Sequence, residues 1–214
     1  TIHDLTLSGS YKWLQFMISY QREKDAILYI TEQYKKNPAI TTVTHRNFNR
    51  IDNFSAFLTA SPAVGSWHPQ LTVGVQKQWA KIEHNGETLQ MDTPLFFCTL
   101  NNGIQLPYHW TLSTDINFQS KGDYQNIYMY QNVFMMNATL TKSFLNEHLS
   151  IHLQGIDLTH GRKDGNRIYN KHMNMDVANV SDSRELRFTI RYKFNTAKSK
   201  YKGKGAATEE IKRL

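Results

Sequence analysis

Between Arg184 and Phe194, five apolar residues (Leu186, Phe188, Ile190, Tyr192 and Phe194) alternate without a slip with Arg187, Thr189, Arg191 and Lys193. Period two over this length describes a strand with one apolar and one charged face. A soluble sandwich would press the apolar face onto a core, whereas a bilayer would meet it with lipid. The segment is as long as the ~9–11 residues that cross a bilayer, and it ends on paired aromatics, where a membrane strand places its interfacial girdle. Leu186, Phe188, Ile190, Tyr192 and Phe194 are therefore expected to face lipid, and Arg187, Thr189, Arg191 and Lys193 the lumen. An arginine at Ile190 would then lie in hydrocarbon and one at Thr189 in water.

The same alternation recurs upstream. It predicts antiparallel strands near residues 2–8, 12–23, 50–61, 70–83, 95–104, 108–119, 132–142, 148–158 and 184–194, each paired with its sequence neighbour. Gly155 precedes a change of phase and reads as a bulge. The turns near Ser10, Pro62 to Pro69, Pro107 and Phe144 are short. Lys24 to Asn49, His84 to Pro94, Ser120 to Gln131 and Thr159 to Ser183 read as longer loops, the first as a partly ordered excursion beyond the membrane. Short turns on one rim and long loops on the other are the asymmetry of an outer-membrane barrel. The expected fold class is all-β, an antiparallel transmembrane β-barrel segment of about nine strands forming an open curved sheet. The alternative is a small self-closed barrel.

Composition fits this reading. An apolar fraction of 40% and a mean hydropathy of −0.55 resemble a soluble protein, and no apolar run is long enough for a transmembrane helix. A barrel wall needs apolar residues only at alternate positions, so its mean hydropathy stays ordinary. The net charge of +7 would suit a nucleic-acid binder, but residues 195–214 hold six basic side chains against two acidic ones, leaving +3 on the other 194 residues. No nucleic-acid partner is expected. The chain divides into a wall at 1–194 and a basic, flexible periplasmic tail at 195–214. Cys98 is the single cysteine, so no disulfide framework or cysteine metal cluster exists. Thr1 begins inside a strand-like pattern, Ile2 to Leu7, and the chain reads as a fragment whose beginning lies upstream.

The run from Ser183 through Asn195, continued by Ala197-Lys198-Ser199-Lys200-Tyr201-Lys202-Gly203, resembles the C-terminal end of outer-membrane β-barrels related to TonB-dependent receptors. Gln119 to Asn126 and Leu158 to Asp164 are similar to further stretches of that family. The likeness covers most of the chain and includes no catalytic signature. It implies the last part of a receptor barrel in the bacterial outer membrane. It also implies a nutrient captured outside, a terminal strand read by the barrel assembly machinery, outer-membrane lipid around the wall, and a TonB-type energiser acting through a plug domain. The ligand is unknown. A barrel that binds or anchors without transport is the alternative.

Candidate chemistry is sparse. Of nine histidines only His148 and His152 recur closely, and residues four apart on a strand lie roughly 13 Å apart, too far for one ion. No metal or cofactor is expected. Serines and histidines are too scattered to define a hydrolase, and the chain is not expected to be an enzyme. Arg187, Arg191 and Lys193 either guide an anionic ligand or pair with acids of neighbouring strands or a plug. Trp67, Trp79, Tyr108 and Trp110, with Trp13, are expected at the membrane interfaces. Tyr128, Tyr130 and Tyr169 are candidates for stacking on a sugar.

Overall fold

A computed structural model describes residues 1–34, 36–37, 39–84, 86–170 and 174–194. The tail expected at 195–214 lies outside the described residues. The strands are β1 (Ile2–Tyr11), β2 (Leu14–Gln33), β3 (Thr41–Ala60), β4 (Trp67–His84), β5 (Glu87–Met91), β6 (Leu95–Leu106), β7 (Trp110–Gln119), β8 (Gly122–Tyr124), β9 (Ile127–Met129), β10 (Val133–Phe144), β11 (Leu149–Ile156), β12 (Lys163–Tyr169), β13 (Asn174–Val180) and β14 (Glu185–Tyr192). One sheet runs β1-β2-β3-β4-β6-β7-β10-β11-β14, antiparallel throughout, with β5 added to the far end of β4. These are the nine expected wall strands, each beside its expected neighbour. Among the described residues β1 and β14 do not pair, so the sheet is open and the self-closed alternative does not hold.

Four expectations are corrected. Lys24 to Asn49 is no loose excursion, because β2 and β3 run on as one hairpin whose ladder reaches Gln33↔Thr41. Twenty residues at ~3.3 Å each give roughly 65 Å of strand, well beyond a bilayer. The loops at 120–131 and 159–183 are also structured: β8, β9, β12 and β13 form a second sheet in the order β13-β12-β9-β8. Gly155 is no bulge, since it pairs regularly with Ala138 and Leu186. The break falls at Asp157, whose φ of +46° ends the ladder, and Gly155 leaves room for Leu158 to fold back, because a Cβ there would lie 2.6 Å from it. Finally, the sixth strand of the wall, β7, starts at Trp110 and not 108. Tyr108, with φ +60°, sits in a 3₁₀ turn, Pro107–His109.

The buried core is not in the wall. Ala26, Leu28, Ile51, Ala80, Ile82 and Met91 form it, where the long β2–β3 hairpin, the end of β4 and β5 meet, and Tyr128 and Tyr169 pack against it from the second sheet. Along the wall one face is left to its surroundings and the other is mainly polar, with Phe57 and Phe97 packed together across Gly74 (ring centroids 6.3 Å).

Candidate functional site

Residues directly opposite on antiparallel strands share a face, so the register shows which side chains lie together. On β14, Leu186, Phe188, Ile190 and Tyr192 stand opposite Gly155, Leu153, Ile151 and Leu149. The same row continues through Ala138, Leu140, Lys142 and Phe144 of β10, and Trp110, Leu112, Thr114, Ile116 and Phe118 of β7. It then takes in Ile104, Leu100 and Cys98 of β6, Leu71, Val73 and Val75 of β4, Ala56 and Leu58 of β3, and Phe16, Ile18 and Leu7 of β2 and β1. The apolar face thus runs across all nine strands, with Asn102, Thr114 and Lys142 set into it. Leu186, Phe188 and Ile190 are 76%, 62% and 60% exposed. Phe194 lies beyond the end of β14, its ring edge-on to Tyr192 at 4.6 Å.

Within the wall, Asn102 and Lys142 of the apolar face are paired, as removal from water demands. Asn102 accepts from the Trp67 indole (3.2 Å) and donates to Thr114 (3.0 Å). The Lys142 ammonium donates to the Tyr108 carbonyl and stands over the rings of Trp110 (5.1 Å) and Phe144 (5.4 Å). Trp67, Tyr108 and Trp110 therefore gather at the short-turn rim with Trp13, and Trp79 lies at the opposite rim beneath Lys77 (5.3 Å).

The opposite face carries Arg187, Thr189 and Arg191 against Gln154, His152 and Ser150. The Arg187 fork is held by Glu185 on its own strand at 2.8 and 3.0 Å, which answers that charge locally. Lys193 follows the strand, its backbone N–H donating to the His148 carbonyl. His152 is held between Thr141 and Ser150 at 3.0 Å each, away from His148 in the turn. Hydroxyl and amide groups also pair across this face, Thr59 with Thr72 and Thr99 with Asn117.

The second sheet sits on this polar face at the long-loop end. Gln78 of β4 binds the backbone of Gln125 reciprocally, donating to its carbonyl (2.8 Å) and accepting its N–H (2.6 Å). Asp123, 7% exposed, accepts the Thr93 N–H, and its own N–H returns to the Thr93 carbonyl. Asn126 donates to the carbonyls of Tyr29 and Tyr169, which joins the hairpin to the second sheet. Gly122 must be glycine, because a Cβ would lie 2.6 Å from the Pro94 carbonyl. Asp157, 2% exposed, gathers the chain between β11 and β14: it accepts from the N–H groups of Gly161 and Arg162 and from the Ser183 hydroxyl. Burial pushes its pKa up, but those three donors outweigh burial and hold it below the ordinary carboxylate value.

Between wall and second sheet lies a cavity of about 320 Å³. Asp4, Gln21, Glu23, Asn53, Gln76 and Gln78 line the wall side, Leu28 and Ile51 the upper end, and Asp123 to Gln125 the roof. Amides offer donors and acceptors, and the carboxylates of Asp4 and Glu23 add acceptors; Lys77 borders the cavity, but the register turns its side chain to the opposite face, over Trp79. Such a surface suits a neutral polar or cationic solute and opposes an anion.

A family model for outer membrane protein beta-barrels matches residues 1–192, from the first wall strand to the last residue of β14. The chain belongs to that family. No curated relative and no solved structure matches it. The barrel's location is accordingly the bacterial outer membrane.

None of the expected site residues lines the cavity of this barrel. β8 and β9 are three residues each, too short for periodicity to reveal. The tyrosines considered for sugar stacking are packing residues. Tyr128 and Tyr169 lie against the core, and the Tyr130 ring covers Gly165, where a Cβ would be 2.4 Å from it.

Proposed function

We propose that this chain is the C-terminal part of a receptor barrel that takes up a nutrient in a TonB-dependent manner. The apolar face meets outer-membrane lipid and the polar face lines the lumen. The long-loop rim faces outward, following the asymmetry of such barrels. The observation that carries the reading is the second sheet itself: two separate loops pair through β9 and β12 over the lumenal face, and residues 123–125 of the first roof a polar cavity. A barrel that only anchors has no use for a roofed polar chamber above its lumen. The chamber captures the solute, and passage requires an energised plug in the complete protein. In this reading β14 is the strand the barrel assembly machinery recognises, and no catalysis is assigned.

The test is growth of a deletion strain on a panel of single limiting nutrients, complemented with the complete protein or with Gln21→Ala/Glu23→Ala. The reading expects one nutrient whose uptake needs the protein, stops on adding an uncoupler and falls in the variant. Binding without energy-dependent uptake would overturn transport and leave a binding barrel.

A further inference from the structure

At the rim that carries the second sheet, the apolar face ends in a group of charges spread over β2, β3 and β4. Arg22 and Lys24 follow Leu14, Phe16, Ile18 and Tyr20 at alternate positions of β2, opposite Asp52 and Arg50 of β3. Trp79 of β4 stands opposite Asp52, and Lys77 opposite Phe54. All share the apolar face.

Asp52 organises the group. It is 6% exposed and accepts on one oxygen from Arg22 Nε (2.8 Å) and the Tyr20 hydroxyl (2.8 Å), and on the other from Arg50 Nε (2.5 Å). The Tyr20 oxygen also accepts from the Arg22 guanidinium at 2.8 Å. One carboxylate thereby fixes two guanidinium groups, yet the arginine side chains stay 38% and 52% exposed. Lys24 has no acidic partner among the described residues, although it stands directly opposite Arg50. Lys77 lies over the Trp79 ring. Four cations and one carboxylate leave three positive charges uncompensated.

Like charges directly opposite on one strand pair destabilise a sheet, and cations on the lipid side of a barrel wall are tolerated only near an interface. The eight steps from Leu14 to Arg22 rise about 20 Å at ~3.3 Å per residue and a tilt of ~40°, close to the top of an apolar band ~25 Å tall. The excess charge therefore meets headgroups. A groove of about 290 Å³ beside it is lined by His3, Asp4, Leu5, Tyr20, Arg22 and Lys24; the register turns Asp4 to the polar face, which leaves Leu5 and Tyr20 below and His3, Arg22 and Lys24 above. On the other flank Arg50, Asp52, Trp79 and Lys81 border a second groove of about 390 Å³. At the short-turn rim, by contrast, Lys142 is already engaged with Tyr108 and two rings, and Lys12 stands over the Tyr11 ring (5.3 Å).

We propose that Arg22, Lys24, Arg50 and Lys77, set in place by Asp52, bind the phosphorylated headgroup of an outer-leaflet lipid whose acyl chains lie along Leu5 and Tyr20. The site rests on the apolar face meeting lipid, and it is independent of transport.

The complete protein, reconstituted in phosphatidylcholine vesicles, is titrated with lipid A and with its dephosphorylated form, and bound lipid is counted by native mass spectrometry. Lipid A should bind preferentially. Lys24→Gln/Arg50→Gln/Lys77→Gln should weaken it at least about tenfold for each charge-assisted hydrogen bond removed, and Lys142→Gln should leave it unchanged. Lys24→Gln alone, which leaves every hydrogen bond of Asp52 in place, serves if the triple variant fails to fold. Equal binding of the two lipids, full binding by the variants, or displacement by millimolar inorganic phosphate would each overturn the headgroup site. Failure of the wild-type chain to insert into the vesicles at all would instead overturn the lipid-facing assignment.

Discussion

Placing an arginine at successive positions of β14 measures which face meets lipid and at what depth. Phe188 and Ile190 are on one face and nearly equally exposed, 62% and 60%, so exposure alone gives them the same sensitivity. Depth separates them. Phe188 lies four residues from the Tyr192 girdle, about 10 Å along the normal at ~3.3 Å per residue and ~40° tilt, against a midplane about 12 Å in. Ile190 lies about 5 Å from the girdle by the same arithmetic. Arginine at the midplane of a barrel wall costs ~2–4 kcal/mol, and near an interface ~0–1. Phe188→Arg should therefore destabilise by about 2–4 kcal/mol, one and a half to three decades in the folded-to-unfolded ratio. Ile190→Arg should cost about 1–2 kcal/mol by interpolation, and Thr189→Arg, facing Gln154 and His152 across the polar side, close to zero. The strongest effect thus moves from Ile190, which the sequence pattern singles out, to Phe188. The assay is reversible denaturant unfolding of the complete protein in bilayers, followed by tryptophan fluorescence. A Thr189→Arg cost equal to that of Phe188→Arg would refute the assignment of faces, and equal costs at 188 and 190 would refute the depth argument.

The roof should fail separately from the wall. Ile82→Ala, in the buried core under the second sheet, should cost about 2–5 kcal/mol locally; limited proteolysis should then cut within 120–183 while the folded wall keeps its heat-modifiable gel mobility. Gly161→Ala would put a Cβ 1.6 Å from the Phe134 carbonyl, so the Asp157 loop should open and become protease-sensitive even at neutral pH. Because the folded-state pKa of Asp157 is depressed, its contribution is complete above the ordinary carboxylate pKa near 4 and is lost as pH falls below it. Protease resistance of residues 157–184 should drop in that acid range, and Asp157→Asn should lower it at neutral pH and remove the pH dependence.

The wall was legible because a sheet with unlike faces writes itself into the chain at period two, and each wall strand pairs with the next wall strand in the chain. Leu186 to Phe194, or Trp110 to Phe118, needs no distant partner to be recognised. The second sheet was not legible, since Ile127 to Met129 and Lys163 to Tyr169 become strands only when 120–131 and 159–183 meet in space. Even a perfect pattern can mislead about direction. On β2 the even-numbered residues are apolar from Leu14 to Tyr20 and again at Ala26, Leu28 and Ile30, interrupted only by Arg22 and Lys24. Below Asp25 the even-numbered residues take the apolar face and the odd-numbered Ser19, Gln21 and Glu23 line the cavity; beyond it Ala26, Leu28 and Ile30 are buried, Leu28 lining that same cavity, while Ile27 and Tyr29 are 60% and 67% exposed. The positive φ of Asp25 interrupts the ladder without shifting its register. Sequence alone therefore determined which residues alternate, because that depends on local backbone geometry. Which solvent or core each set meets was decided by tertiary structure, because it depends on what packs against the strand from outside it.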